Sequence, residues 1–356
     1  MAKQTSLRFN NRVGLVVLLA VALLVLLFLL SRGRGGPNRY VDETIKISEL
    51  LAAAVQLAEA GGDKIVEIRK MDDKQIGQLT KGLTKEGRDE YVTLGDQLSH
   101  EVISSGFRRL WPRLQFRSEE NDHAVGVSRV KVDLVDPEIL SVVRRDEAVA
   151  MDQVAVWIDP LDATQEYTEG VKDSELLKYV TVMICIAVEG KPIAGVIHEP
   201  YTEDPRTGIA GVTKWAWVGH GVSKTLQRDI VSDGSQHDGS VKVIASRSHA
   251  GDVFAVAQTA FGKVEKIVAA GAGYKALQVA EGKADLYLHT TAIKKWDICA
   301  GDAVLRTLGG RMTTRNGREI DYGLAGNPKN SDGIVATATE SRHSEYLAKL
   351  RTGAPL

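Results

Sequence analysis

Cysteine is scarce in this chain: Cys185 and Cys299 are the only two among 356 residues. Two cysteines make no disulfide framework, and no C-x-x-C pair is present to hold zinc or carry redox chemistry. Both lie in apolar or mixed runs, so the expectation is a pair of buried free thiols. No N-x-[ST] sequon occurs either, which weighs slightly against a secretory location. Net charge is nearly lacking: 45 Lys and Arg against 46 Asp and Glu leave −1. No global basic field points to nucleic acid, so none is expected as a partner. An anionic ligand must be held by local groups or by metal ions. What is present, 44% hydrophobic and 26% charged residues, is the composition of an ordinary globular protein.

One long apolar run breaks this pattern. Val13 to Leu30 is 18 residues long and contains no charge. As a helix it rises roughly 27 Å, enough to cross a hydrocarbon core. It ends in Leu29-Leu30-Ser31-Arg32 with no small-residue cleavage pattern, so a signal anchor is favoured over a cleaved signal. Lys3, Arg8 and Arg12 precede it and Arg32, Arg34 and Arg39 follow it, so charge alone leaves the orientation open. The expected division is a tail at 1–12, a transmembrane segment at 13–30, a linker at 31–41, and a catalytic region beyond.

Within that region, helical spacing predicts a helix over Asp42–Ala60, stopped by Gly61-Gly62, and a second over Asp96–Ser105, ending at Gly106. Residues 120–153 read as a surface excursion. Strands are expected at Val154–Ile158, Tyr179–Val188, Ile193–Ile197 and Thr213–Val218. Beyond the polar stretch Ser232–Ser240 the rhythm alternates: strand Val241–Ala245, helix Asp252–Phe261, strand Lys266–Ala269, helix Tyr274–Glu281, strand Ala284–Leu288 and helix Trp296–Leu308. An α+β part at 42–235 and an α/β part at 236–356 follow from this change. Trp215 and Trp217 share one strand face, as core or subdomain contacts or as a platform for a base.

Three acidic clusters end or follow expected strands: Ser118-Glu119-Glu120-Asn121, Trp157-Ile158-Asp159-Pro160-Leu161-Asp162-Ala163-Thr164, and Lys295-Trp296-Asp297. Thr93-Leu94-Gly95-Asp96 is a possible fourth. In D-P-x-D-x-T, two carboxylates, the Leu161 carbonyl and a hydroxyl fall within one turn, a hard-oxygen set suited to Mg²⁺. Each residue alone reads equally well as a helix cap. Together, Glu119, Asp159, Asp162 and Asp297 would repel unless cations neutralise them. Two cations bridged by a phosphate is the arrangement for in-line displacement.

The strings SEEN, WIDPLDATQEYTEG and KKWDICAGDAVLRTLGG resemble the signatures of the lithium-sensitive inositol monophosphatase superfamily, over roughly residues 42–340. D-A-T-Q-E-Y-T-E, with Ala163 where most members have glycine, resembles the branch of Golgi-resident adenosine bisphosphate 3′-phosphatases. The resemblance implies a layered α-β-α-β-α sugar-phosphatase fold (α+β and α/β parts) behind a single N-terminal transmembrane helix. It implies a type II, single-pass Golgi membrane protein with its catalytic region in the lumen. It implies hydrolysis of adenosine 3′,5′-bisphosphate to AMP and phosphate with two or three Mg²⁺ ions, and relatives of this kind are often homodimers. Asp159 would bridge two ions, with Glu119 and the Leu161 carbonyl on the first and Asp162 and Asp297 on the second. Thr164, paired with Asp96, would orient and deprotonate water, and Asp96 is also a candidate for the third ion. Glu120 is read as a solvated or supporting carboxylate.

Ser246-Arg247-Ser248-His249 and Gly271-Ala272-Gly273-Tyr274-Lys275 both follow expected strands, at the ends where open α/β sheets bind ligands. Taken singly they are a surface histidine and a glycine turn. Under the resemblance, Ser246, His249, Gly271 and Lys275, with Thr164, contact the nucleotide, and Lys275 and His249 offset its retained 5′-phosphate. An inositol phosphate phosphatase on the same scaffold and a non-catalytic, membrane-tethered binding protein are the rival readings.

Overall fold

A computed structural model describes residues 43–71, 79–83, 89–122, 129–146, 148–226, 239–248 and 251–353. Thr44–Leu356 forms one compact unit; of the other, Met1–Glu43, only Glu43 is described. The expected membrane segment 13–30, its flanks 1–12 and 31–41, and His249 lie outside the described residues. Among the described residues no helix is long and apolar enough to cross a membrane.

The helices are α1 (Ile47–Arg69), α2 (Leu94–Leu110), α3 (Pro137–Val142), α4 (Thr164–Glu169), α5 (Val253–Phe261), α6 (Ala272–Ala280), α7 (Lys295–Thr307) and α8 (Glu340–Gly353). A six-stranded sheet runs, edge to edge, Gly221–Val222, Ala210–Trp217, Lys191–Glu203, Thr181–Val188, Val154–Asp162 and Phe116–Ser118. Phe116–Ser118 pairs parallel with its neighbour; the other pairs are antiparallel. A five-stranded sheet runs Val264–Ala269, Val241–Ser246, Leu286–His289, Ile334–Thr337 and Arg311–Thr314, its first three strands mutually parallel. The expected division at 235/236 falls between the two sheets, within residues 227–238, outside the described residues.

Three apolar cores bind five layers, the second of them covering both faces of the middle helix layer. The strand Val154–Asp162 sends Val154, Val156 and Ile158 to the first core, with α1 and α2, and Ala155 and Trp157 to the second, with α6, α7 and the smaller sheet. This strand is buried on both faces, which is why it reads as a continuous apolar run. The third core packs α5 and α8 on the outer face of the smaller sheet, through Val243, Val253, Leu286, Val335 and Tyr346. The layering is α-β-α-β-α, as the family resemblance implies. Trp215 and Trp217 do share a face, and both lie in the first core at 2% and 4% exposure, so neither is a platform for a base.

Both helix stops expected at glycine are wrong. α1 continues through Gly61-Gly62 to Arg69, and α2 through Gly106 to Leu110. A Cβ on Gly61 would sit 2.6 Å from Ser99 Oγ, one on Gly62 2.4 Å from the His198 ring, and one on Gly106 2.3 Å from Leu57 Cδ2. These glycines are contact points. The propensity cost of about 1 kcal/mol each is offset by the close approach of α1 to α2 and to the sheet. The 120–153 excursion is less loose than expected. It holds α3, anchored by fully buried Ile139, and a strand Ala148–Ala150 paired with Thr44–Lys46.

His198, set against Gly62, gives the fold a pH signature. Thr213 Oγ1 donates to Glu59 Oε1 (2.7 Å), so it must accept from His198 Nδ1–H (2.9 Å). Burial pushes this imidazole down to about 4. An unfolded histidine titrates near 6.5, so between these values the unfolded chain binds more protons. The neutral ring's contribution is complete above the unfolded value and is lost as pH falls toward 4, by roughly 3 kcal/mol in all. His198→Gln is expected to flatten the fall of the thermal midpoint between pH 6.5 and 4; parallel curves for variant and wild type would refute this.

Candidate metal centre

The D-P-L-D segment owes its geometry to a bulge. Asp159 stands opposite Met183 and Asp162 opposite Thr181, so Pro160 and Leu161 face the single residue Val182. Residues three apart point to opposite faces of a regular strand, whereas Met183 and Thr181, two apart, share one. The extra residue therefore turns both aspartates to the same face. Pro160, with no N–H to give the ladder, suits this position. Ala163 follows at φ +68°, a left-handed conformation in which glycine is at ease and alanine is strained.

Three carboxylates then meet. One oxygen each from Glu119, Asp159 and Asp297 lie within 4.8 Å of one another. Glu119 follows Phe116–Ser118, which is parallel to the Asp159 strand; its N–H donates to the Ile158 carbonyl at 3.0 Å. Asp297 comes from the first turn of α7 and accepts from the Lys294 N–H at 3.1 Å. Asp159 is 1% exposed, and its buried Oδ1 has no hydrogen-bond partner. Burial, then the charges of Glu119, Asp162, Asp297 and Asp96, hold its carboxyl well above the usual range. Burial, then Glu119 and Asp162, does the same to Asp297. A buried anion left unpaired among like charges is costly. A divalent cation bound by oxygen is the group that this donor set fits.

Asp162 is held apart from the trio. Gly273 N–H (2.9 Å) and Thr181 Oγ1–H (3.2 Å) both donate to its Oδ2, while burial raises its carboxyl and the Lys275 ammonium opposes this. The G-A-G turn explains itself here. A Cβ on Gly271 (φ +65°) would lie 2.5 Å from the Tyr179 carbonyl oxygen and 3.0 Å from Asp162 Oδ2; one on Gly273 would lie 2.6 Å from Thr181 Oγ1. Lys275 is 3% exposed, donates to the Gly271 carbonyl and sits over the Tyr287 ring. Its visible work is beneath the carboxylates.

Thr164 Oγ1 lies 3.1 Å from Asp96 Oδ1 and 3.2 Å from the Leu161 carbonyl. Asp96 closes a capping box at the start of α2, accepting from Thr93 N–H (2.7 Å) and Oγ1–H (2.6 Å) on Oδ2. This leaves Oδ1 facing Thr164. Glu120 is 8% exposed. Ser246 ends its strand beside Ala269, two residues before Gly271.

Sequence reasoning missed the residues that fix these parts. Arg247 pairs with Glu166 (3.1 Å) and Glu169 (2.6 Å), tying α4, which carries Thr164, to the segment after Ser246. The i,i+3 spacing of two glutamates was the available signal. Ser99 Oγ donates to the Pro160 carbonyl (2.7 Å), and His100 bridges Ser118 Oγ (2.8 Å) and Asp122 (3.1 Å), tying α2 to both carboxylate strands. The thiol expectation is overturned as well. Cys185 and Cys299 form a disulfide, with their Cα atoms 5.6 Å apart.

The inositol monophosphatase family model matches residues 46–354. "Inositol monophosphatase 3" of Danio rerio is 46% identical over 292 residues, covering 80% of each chain. The "Golgi-resident adenosine 3′,5′-bisphosphate 3′-phosphatase" of Mus musculus is 41% identical over 316 residues, covering 86% of this chain and 81% of its own. Among solved structures, the extragenic suppressor protein suhB from Bartonella henselae aligns with TM-score 0.60 at 19% identity, covering 86% of this chain and 99% of that one. CysQ from Bacteroides thetaiotaomicron aligns with TM-score 0.56 at 22% identity, covering 83% and 99%. The layered fold, the convergent carboxylates and these matches agree that the chain belongs to the inositol monophosphatase family and is one of its phosphatases.

Proposed function

We propose that the chain is a Mg²⁺-dependent phosphomonoesterase that hydrolyses adenosine 3′,5′-bisphosphate to AMP and phosphate. The observation that carries the metal-dependent reading is the orphaned Asp159 Oδ1 among three converging carboxylates. Glu119, Asp159 and the Leu161 carbonyl would hold one Mg²⁺, and Asp159, Asp162 and Asp297 a second, with Asp96 available to a weaker third. Bound there, the ions would supply neutralisation of the phosphoryl oxygens and an acidified water. Thr164 Oγ1 holds the attacking water and takes its proton while passing its own to Asp96 Oδ1. The P–O bond to the 3′ oxygen breaks as the water oxygen bonds to phosphorus, and the leaving 3′ oxygen takes a proton from solvent water to become the hydroxyl of AMP. Ser246, His249, Gly271, Lys275 and Thr164 form the nucleotide side.

The Golgi assignment rests on the names of the mouse and human relatives, the latter 39% identical over 328 residues. The disulfide adds support, since such bonds persist in oxidising compartments. A luminal catalytic region on the 13–30 anchor, single-pass and type II, accounts for both. An inositol phosphate phosphatase is the second reading, favoured by the name of the zebrafish relative. Phosphate release from adenosine 3′,5′-bisphosphate and from inositol 1-phosphate, measured in parallel with Mg²⁺ and then with lithium, decides between them. Lithium-sensitive preference for the nucleotide is expected; preference for the inositol ester would overturn the substrate assignment.

Thr164→Ala is expected to lower kcat by about 10²–10³-fold, the scale of a lost acid–base group. KM should rise far less than kcat falls, since Thr164 is one of five residues on the nucleotide side, and Thr164→Ser, which restores the hydroxyl, should recover most of the rate. A large rise in KM with kcat intact would contradict the proton-relay role.

A further inference from the structure

The disulfide bears on the carboxylates. α7 carries Asp297 in its first turn and Cys299 two residues later. Cys299 is bonded to Cys185, which stands opposite Trp157, and Trp157 is two residues before Asp159. The bridge thus ties α7, two residues after Asp297, to the strand Thr181–Val188 next to the one that carries Asp159, two residues along from Met183, which stands opposite Asp159. Cys185 and Cys299 are 1% and 0% exposed, in the core between the two sheets.

Without a cation, Glu119, Asp159 and Asp297, one buried and two half-buried, repel wherever they are ionised together. Outward movement of the first turn of α7 is the easiest relief, because Asp297 is the member on a helix end. Later turns are held by the close approach of Gly195 to the Ala300 backbone, and by Asp302, which binds Arg306 and the Tyr322 hydroxyl. The first turn has the Lys295 N–H bond to the Pro328 carbonyl (2.8 Å) and the two-residue ladder of Ile293–Lys294 with Lys329–Asn330. The covalent tie at Cys299 lies between these two sets.

We propose that the Cys185–Cys299 disulfide is a positioning device for Asp297. It holds the metal-free carboxylates in binding geometry against their own repulsion, so divalent cations bind tightly only to the oxidised chain. To form it, the two thiols lose two protons and two electrons to the disulfide of a thiol oxidoreductase, which leaves as a dithiol. Chain kept in a reducing compartment then carries a weak centre, and the competent one arises where such oxidants act. The inference rests on the metal-centre reading alone and uses no substrate.

The test is a Mn²⁺ titration of the full chain, with the free ion followed by electron paramagnetic resonance. Protein purified without reductant is compared with a Cys185→Ala, Cys299→Ala double variant, and thermal midpoints are taken alongside. Loss of a supporting contact around a metal ligand costs roughly 10–100-fold in affinity, and a rise of that size in the Mn²⁺ Kd is expected. If the alanine pair does not fold, wild-type chain expressed in a reducing cytosol and kept under a phosphine supplies the reduced form. An unchanged Mn²⁺ Kd with only a lower midpoint would overturn the proposal, leaving the bridge a plain staple. Two titratable thiols in unreduced, denatured wild-type chain would overturn it as well. If neither form binds Mn²⁺, the metal centre falls and the proposal with it; a wrong substrate assignment would leave the titration untouched.

Discussion

Asp159→Asn is expected to cut phosphate release by about a thousandfold or more while making the metal-free protein more stable. The side chain keeps its shape and loses its charge. It stands three residues before the end of a strand buried along all but its last residue, among Glu119, Asp162 and Asp297, with one oxygen that nothing donates to. In a chelating buffer this charge is all cost, and its removal should raise stability by roughly 1–3 kcal/mol, the range for relieving an uncompensated buried polar group. Excess Mg²⁺ should reverse the order, because a ligand that binds the native state stabilises it by mass action. Thermal melts of both proteins with chelator and with Mg²⁺ check this. A variant that is less stable under both conditions would mean that Asp159 serves the fold and not a cation.

Gly271→Ala is expected to damage both stability and activity through one methyl group. At φ +65° the backbone already disfavours any side chain, and the new Cβ would meet the Tyr179 carbonyl oxygen at 2.5 Å, a main-chain atom that cannot swing away. Strain and overpacking together predict a loss of roughly 2–4 kcal/mol. The same turn delivers the Gly273 N–H to Asp162, so its displacement should lower activity by about 10²-fold. Gly262→Ala is the control. Its φ is +75°, yet nothing lies within 4 Å of the added Cβ, and it is far in sequence from any carboxylate of the centre. It should cost about 1 kcal/mol and leave activity unchanged. Equal activity losses in the two variants would refute the role given to the turn.

Much of the centre was legible because its chemistry is local. D-P-L-D-A-T announces two carboxylates, a carbonyl and a hydroxyl by spacing alone, and the strand before it announces itself by its apolar run. Contacts between distant segments were not legible. A glycine pair reads as a helix stop until the partner pressing on it is known, as Ser99 and His198 press on Gly61 and Gly62. Lys275 reads as a ligand-facing cation, and nothing in its spacing tells that it is also buried, with its charge acting on Asp162. Two lone cysteines read as inert thiols because nothing in their spacing tells that a strand and a helix bring them together.

The central claim is that Glu119, Asp159 and Asp297 hold a divalent cation. Crystals of the catalytic region grown with Mn²⁺, with anomalous differences collected at the manganese edge, test it most directly. The account predicts a peak at coordination distance from Asp159 and from at least one of its two partners, lost in Asp159→Asn. Diffraction from active, Mn²⁺-containing crystals with no peak among these carboxylates, or with the peak elsewhere, would contradict it.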